Sequence, residues 1–237
     1  MLFRKKMKDS MPLRLGEGQF CISWHGNQKD CAYDFEIETS ANSYNLVYQD
    51  GKFLGIPLKN GGPLYPFSYD PAKKGSRGDK KKFKTVEVVC VSAADNLNVN
   101  WGVPDFLMFD KDGKAYDIGA SGTFYVEIDP ADAAKSADTF YRKLCFQKDD
   151  GGMTNEELRD KLLRAFKEVI GAKLEESIAE FDRPLSQMIG LTPKEKLEIS
   201  KAVYYKVKDI FANYGITIVK VSSVNSIVDK LVVREHR

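Results

Sequence analysis

Three aspartates close to a glycine are the residues of this chain whose types and spacing come nearest to doing chemistry. Asp110, Asp112 and Asp117 fall within eight residues, around Gly113, in the stretch FDKDGKAYDIGASG. Calcium and magnesium prefer carboxylate oxygens, so one interpretation is a divalent-cation site. The EF-hand spacing is absent, because Ser121 stands where its twelfth-position glutamate belongs. We therefore predict a tight turn between two strands at Asp112-Gly113, in which glycine supplies positive φ and Asp112 caps its own turn.

Other patterns that could support catalysis or metal binding are weaker. The four cysteines are widely spaced and form no CxxC pair, which argues against structural zinc and favours buried free thiols; they are Cys21, Cys31, Cys90 and Cys145. Of the two histidines, His25 and His236, only His25 is a candidate base, and a solvent-exposed role is the alternative. The segment 119–122 lacks the spacing of a nucleophile elbow, and no phosphate-binding glycine loop occurs. The sequence thus predicts no catalytic residue, no metal and no cofactor.

Composition describes an ordinary globular chain. It has 237 residues, 43% of them hydrophobic, and 36 basic against 34 acidic residues give a net charge of +2. This balance excludes a global attraction to nucleic acid or anionic lipid. No run approaches the roughly 18 apolar residues of a membrane-spanning helix, and no apolar segment follows the basic N-terminus as in a secretory signal. We expect a cytoplasmic protein, at most peripheral at the inner face of a membrane.

One local segment departs from this balance. Residues 73–84 carry seven basic side chains and one acidic side chain, Asp79; the basic ones are Lys73, Lys74, Arg77, Lys80, Lys81, Lys82 and Lys84. They could contact phosphate, an anionic polymer or anionic lipid. The alternative is a solvated, mobile hairpin tip, since Phe83 is the single aromatic residue interleaved for base stacking.

The elements that would position these residues change type along the chain. Short β-branched and aromatic runs predict strands at 19–24, 45–48 and 85–92, and alternation predicts a meander over 98–129. Helical spacing then begins near residue 131, and two capping boxes predict helix starts, at Thr154 with Glu157 and at Thr192 with Glu195. Gly215 fits a helix C-cap before a returning strand at 216–218.

We therefore predict an α+β fold, a mostly antiparallel sheet with amphipathic helices packed on one face or end. The predicted organisation is a β-rich subdomain over 1–84 that ends in the basic loop, an α+β core over 85–230, and a tail over 231–237.

The order of several short motifs resembles the SPFH domain, also called the Band 7 or prohibitin-homology domain, and in particular its soluble bacterial, virion-core-like branch. The successive segments are EVVCVSAADNLNVNWGVPDFLMFDKDG, YDIGASGTFYVEIDPADA, MTNEELRDKLLRAF and VKDIFANYGITIVKVSSVNSI. The matching residues, in family order, are Trp101, Gly102, Pro104, Asp110, Gly122, Phe124, Asp129, Pro130, Tyr214, Gly215 and Ile216. The resemblance covers roughly residues 15–227, with a departure at 26–44. Relatives also carry a membrane anchor and a long coiled coil that this sequence does not show.

The resemblance implies a non-enzymatic scaffold or adaptor that self-assembles and organises or regulates other proteins, including at membranes. It implies homo-oligomeric and protein partners, with no specific nucleic acid and no small-molecule substrate. The expected contact residues are Phe211, Tyr214, Ile216 and Ile218, although the apolar ones could instead close the domain core. A divalent-cation-dependent hydrolase using Asp110, Asp112 and Asp117, and an anionic-polymer binder using 73–84, are the alternatives.

Overall fold

A computed structural model of the chain describes residues 11–27, 35–55, 62–66, 84–93, 97–146, 152–219 and 227–237. The fold is α+β with mostly antiparallel sheets, as the sequence predicts. The described residues belong to two compact units, one within Met1–Asp95 and Ile128–Leu158, the other within Asn96–Glu127 and Arg159–Arg237.

The strands and helices are numbered in chain order. The strands are β1 (Met11–Leu13), β2 (Gln19–Asn27), β3 (Ile37–Thr39), β4 (Ser43–Gln49), β5 (Lys52–Phe53), β6 (Gly62–Leu64), β7 (Thr85–Ser92), β8 (Leu97–Phe109), β9 (Ala115–Ile128), β10 (Gly152–Thr154), β11 (Ile216–Val219) and β12 (Lys230–Glu235). The α-helices are α1 (Ala133–Phe140), α2 (Asn155–Ala179), α3 (Leu185–Met188) and α4 (Pro193–Ala212). A 3₁₀ turn (Pro130–Asp132) precedes α1, and a π-helical turn (Tyr141–Cys145) follows it.

The first unit contains two sheets. A five-stranded antiparallel sheet has the order β10-β2-β7-β4-β5, and a three-stranded sheet has the order β1-β3-β6, with β1 parallel to β3. Alternate residues of a strand point to opposite faces. One face of the larger sheet forms an apolar core with the smaller sheet, through Leu13, Phe35, Ile37, Val47, Leu64, Val86, Val88 and Cys90.

The other face of the five-stranded sheet meets α1 and the π-helical turn. The rings of Tyr48 and Tyr141 lie 5.9 Å apart, and Phe20 lies 5.5 Å from Phe140. Asp132 caps α1 by accepting from the Lys135 amide at 3.3 Å. These contacts bring the polar ends of Tyr48 and Tyr141 to one end of the sheet face.

The second unit is built around the β8–β9 hairpin. β9 pairs antiparallel with β8 and with β12, and it also pairs with β11. Ala120 pairs with Val103 of β8 and with Leu231 of β12, so these two strands flank β9 on opposite sides.

The helices supply the apolar core of this unit. The predicted stripe of α2 is buried, through Leu162, Phe166, Ile170, Leu174 and Ile178. Phe166 stacks on Phe211 of α4 with ring centres 3.8 Å apart, and Phe124 of β9 meets both rings edge-on. Both predicted capping boxes form, and Gly215 has φ 73° after α4.

The two units divide the chain differently from the predicted domains. β7 lies between β2 and β4, so residues 85–92 belong to the first unit and not to a core that begins at 85. Residues 230–235 form β12, paired with β9, where the sequence analysis predicts a tail from 231. Each of these two segments is assigned to its unit by hydrogen bonds with strands that are distant in the sequence. The local sequence of a segment does not indicate which strand it pairs with.

Candidate functional site

The aspartate-rich stretch forms the turn between β8 and β9. The Asp110 amide donates to the Lys114 carbonyl at 2.8 Å, and the Gly113 amide donates to the Asp110 carbonyl at 2.9 Å. Gly113 has φ 77°, the left-handed conformation that the turn requires. The capping carboxylate is that of Asp110, which accepts from the Lys111 amide at 2.8 Å, whereas the sequence-based prediction assigns this role to Asp112. The predicted turn is therefore confirmed at this position.

Asp117 is engaged elsewhere. It lies on β9, and its two carboxylate oxygens are 2.9 and 3.0 Å from Nδ1 of His236. Within the described ranges, no group of three or more histidine, cysteine or acidic side chains is arranged to hold a metal ion. The structure thus does not bring Asp110, Asp112 and Asp117 together as ligands.

The four expected partner-contact residues lie where α4 returns to β11. Phe211, Ile216 and Ile218 are buried, and Tyr214 is partly exposed with its ring 5.0 Å from that of Phe166. Burial inside the folded unit favours the alternative that the apolar residues close the core. These three side chains are therefore not available at the surface of the unit.

Of the seven basic residues proposed to contact anions, Lys84 is described and exposed. Lys73, Lys74, Arg77, Lys80, Lys81 and Lys82 lie outside the described residues. The amides of Lys84 and Thr85 donate to Asp50 Oδ1 at 3.0 and 2.9 Å. The Thr85 hydrogen bond lowers the pKa of the Asp50 carboxyl, because it stabilises the charged form. This contact fixes the start of β7 beside the β4–β5 turn.

Cys21 and Cys90 are buried thiols whose pKa values are raised. Cys21, Cys90 and Cys145 are free and buried, and Cys31 lies outside the described residues. A hydrogen bond with Cys145, together with burial, raises the pKa of Cys21, and burial raises the pKa of Cys90 to about 12. A raised pKa keeps a thiol protonated at neutral pH, whereas reactive cysteines have lowered values.

A cleft of about 610 Å³ opens at the end of the larger sheet in the first unit. Strand register places His25, Glu87 and Tyr48 side by side on β2, β7 and β4, on the face that the π-helical turn covers. Nε2 of His25 lies 3.3 Å from Oε1 of Glu87, and the Tyr141 hydroxyl donates a short hydrogen bond to the same oxygen. The Glu87 side chain is only 16% exposed, and Phe146 lies at the rim with 52% of its surface exposed.

A second carboxylate lies beside this cleft. Tyr48 donates to Asp138 Oδ1 at 2.7 Å, and Nε of Arg142 donates to the same oxygen at 2.7 Å. The Arg142 guanidinium lies 5.1 Å from the centre of the Tyr48 ring. Burial raises the pKa of both Tyr48 and Tyr141, so the phenols stay protonated and act as donors. The sequence analysis missed this network, apart from His25, because it depends on strand register.

The hairpin end of the second unit carries an exposed apolar surface. Leu107 and Phe109 alternate along β8 and are 43% and 65% exposed. The Ser186 amide of α3 lies 3.5 Å from Asp110 Oδ2, so α3 adjoins the turn, and Ile189 just beyond α3 is 55% exposed. Ile189 lines a cleft of about 780 Å³ with Val233 and the end of the chain at 234–237. We call this region, formed by Leu107, Phe109, Asp110, Ile189 and 233–237, the hairpin-end surface.

In the described part of the chain, no helix is both long and apolar enough to cross a membrane. Compared with known proteins, the chain matches no protein-family model, and no curated protein matches it significantly.

Proposed function

We propose that the chain is a non-enzymatic scaffold or adaptor of the SPFH type, which assembles with copies of itself and organises or regulates partner proteins. The exposed hairpin-end surface is the observation that carries this proposal. Contact with anionic membranes, through the basic residues of 73–84, is part of the same proposal.

The roles of the residues that resemble the SPFH pattern support this proposal. The indole of Trp101 donates to the Ile227 carbonyl at 2.8 Å, and Gly122 lies directly beneath that carbonyl. Asp129 accepts from the Ala131 amide at 3.0 Å and so caps the turn before α1. These hydrogen bonds and close contacts hold β-strands and turns in place. Motif residues with structural roles are expected in a family whose members share a fold and not a catalytic activity.

The hairpin-end surface supports self-assembly. Monomeric proteins rarely expose large contiguous apolar patches, and three of the five large hydrophobic side chains that are exposed among the described residues lie at this end. Charged side chains of both signs surround these apolar ones. In the β8–β9 turn they are Asp110, Lys111, Asp112 and Lys114, and in the Ile189 cleft they include Asp117, Arg234, Glu235 and Arg237. A second copy can bury the apolar side chains of this surface against its own, while acidic and basic side chains of the two copies pair around them.

Sedimentation velocity of purified protein over a concentration series tests this proposal. We expect wild-type protein to form oligomers and the variants Leu107→Ser and Phe109→Ser to shift towards monomer, because each removes apolar surface from the contact. The matched control is Tyr205→Ser, since Tyr205 is 54% exposed and lies on α4, outside the hairpin-end surface.

A parallel run with anionic and neutral liposomes tests the membrane contact, which should weaken steeply as salt is added. Wild-type protein that stays monomeric at every concentration, with and without liposomes, contradicts the proposal. Equal dissociation of Phe109→Ser and Tyr205→Ser would contradict the assignment to this surface.

A further inference from the structure

Glu87, which lines the cleft of the first unit, and Asp138, which lies beside the cleft, each accept a hydrogen bond from a tyrosine hydroxyl. In one half, Asp138 accepts from Tyr48, and the guanidinium of Arg142 pairs with Asp138 while lying over the Tyr48 ring. This half therefore holds a cation between a carboxylate and an aromatic face. Such a pairing combines an ion pair with a cation–π contact.

The other half repeats the arrangement with different residues. Glu87 accepts from Tyr141, and the Phe146 ring meets the Tyr141 ring edge-on with centres 6.0 Å apart. Among the described residues, no lysine or arginine forms an ion pair with Glu87, whose one charged-group neighbour there is His25 at 3.3 Å. The two halves thus share a carboxylate, a phenol donor and an aromatic ring, and only the Asp138 half is filled by an arginine of the described chain.

We propose that this cleft binds the ammonium or guanidinium group of a small organic cation, with Glu87 as its counter-ion and with Tyr141 and Phe146 as its aromatic walls. A half-buried carboxylate attracts a cation more strongly than an exposed one does, because the surrounding protein screens the charge less than water. Glu87 also keeps lone pairs for a further donor after accepting from Tyr141.

The size of the cleft limits the ligand. About 610 Å³ lies within the usual range for small-molecule sites, and of the lining residues Glu87 is largely buried whereas Phe146 is exposed. The site therefore suits an alkyl chain that ends in a charged nitrogen group, as in a free diamine, an agmatine-like guanidine or the side chain of a basic residue in a short peptide. This inference is independent of the proposed scaffold function, because it concerns other residues in the other unit.

Titration calorimetry tests the proposal with three probes: agmatine, argininamide and the tripeptide Gly-Arg-Gly. We expect saturable binding with Kd of about 1 mM or tighter for at least one probe. Preference for the free amines over the tripeptide would identify a small-molecule ligand, and the reverse a peptide side chain. An uncharged analogue of the same length, in which a primary amide replaces the guanidinium, should not bind.

Two variants and one control assign the binding to the cleft. Glu87→Gln removes the charge but keeps an acceptor for Tyr141, so it should retain the fold and weaken binding at least tenfold. Phe146→Ala removes an exposed ring and should weaken binding several-fold without unfolding the unit. Glu38→Gln, an exposed carboxylate of the same unit, is the matched control and should bind like wild type.

Absence of saturable binding by wild-type protein up to about 50 mM probe would overturn the proposal. So would equal weakening in Glu87→Gln and Glu38→Gln, since that would place the contact on the general surface. Neither outcome bears on oligomerisation, which is measured separately.

Discussion

Gly122→Ala should destabilise the second unit far more than Gly102→Ala, although the two glycines lie on adjacent, paired strands. A Cβ at Gly122 would overlap the carbonyl oxygen of Ile227 and lie 3.0 Å from the Asp229 amide. A Cβ at Gly102 would meet its nearest neighbours at 3.7 Å, an ordinary contact distance. Gly122→Ala therefore brings a Cβ into the backbone of residues 227–229, whereas Gly102→Ala adds a Cβ without a close contact.

The magnitude follows from what the Gly122→Ala clash displaces. Overpacking costs about 1–3 kcal/mol when neighbours must shift. Moving the Ile227 carbonyl also strains its hydrogen bond with the Trp101 indole, which contributes about 1 kcal/mol. Together these give a loss of about 2–4 kcal/mol in the free energy of unfolding. Gly102→Ala should leave it unchanged or raise it by about 0.5–1 kcal/mol, because alanine has less backbone entropy to lose.

Urea unfolding followed by tryptophan fluorescence measures this difference. The chain has two tryptophans, Trp24 and Trp101, so a Trp24→Phe background leaves a single reporter inside the second unit. If Gly122→Ala and Gly102→Ala unfold with equal free energies, then the close approach of residues 227–229 to β9 is not the constraint that requires glycine at 122.

Two further predictions concern the helices of the second unit. Phe211→Ala should lower the free energy of unfolding by about 3–5 kcal/mol at every protein concentration, because the ring is fully buried against Phe166; a loss that disappears at high concentration would instead indicate a subunit contact. The hydrogen bond from the Thr192 amide lowers the pKa of Glu195 below its usual 4.5. The charged carboxylate therefore stabilises the fold above that pH and loses this effect as pH falls through its folded pKa, so the stability difference between wild type and Glu195→Gln should shrink in acid unfolding below about pH 4.5.

Local signals in the sequence predicted the helices well. Each of the capping boxes at Thr154 and Thr192 is a motif of four consecutive residues. The helices α2 and α4 begin directly after these threonines, as predicted. The β8–β9 turn was predictable for the same reason, since Asp110 and Gly113 determine it locally. The three-residue strands β1, β3, β6 and β10 escaped prediction, because so short a run has no measurable periodicity.

The cleft could not be predicted, because strand register and not sequence distance creates it. His25, Tyr48 and Glu87 are separated by more than twenty residues, yet β2, β4 and β7 place them in one row. A shift of one residue in β7 would turn Glu87 to the opposite face and leave His25 beside an apolar side chain. In the sequence, His25 has no acidic residue beside it that would indicate a role. Its carboxylate neighbour, Glu87, lies on the adjacent strand and is found only from the strand pairing.

The two units use their buried polar groups in different ways, and this difference determines where function is sought. In the second unit, the Trp101 indole and the Ser200 hydroxyl both bond the backbone at 227–228, so these groups stabilise the chain path. The exposed side chains of this unit include the apolar ring of Phe109. In the first unit, a half-buried carboxylate at Glu87 faces a cleft, where low exposure strengthens each charge interaction. The proposed assembly and the proposed ligand binding therefore rest on separate residues, Phe109 in one unit and Glu87 in the other.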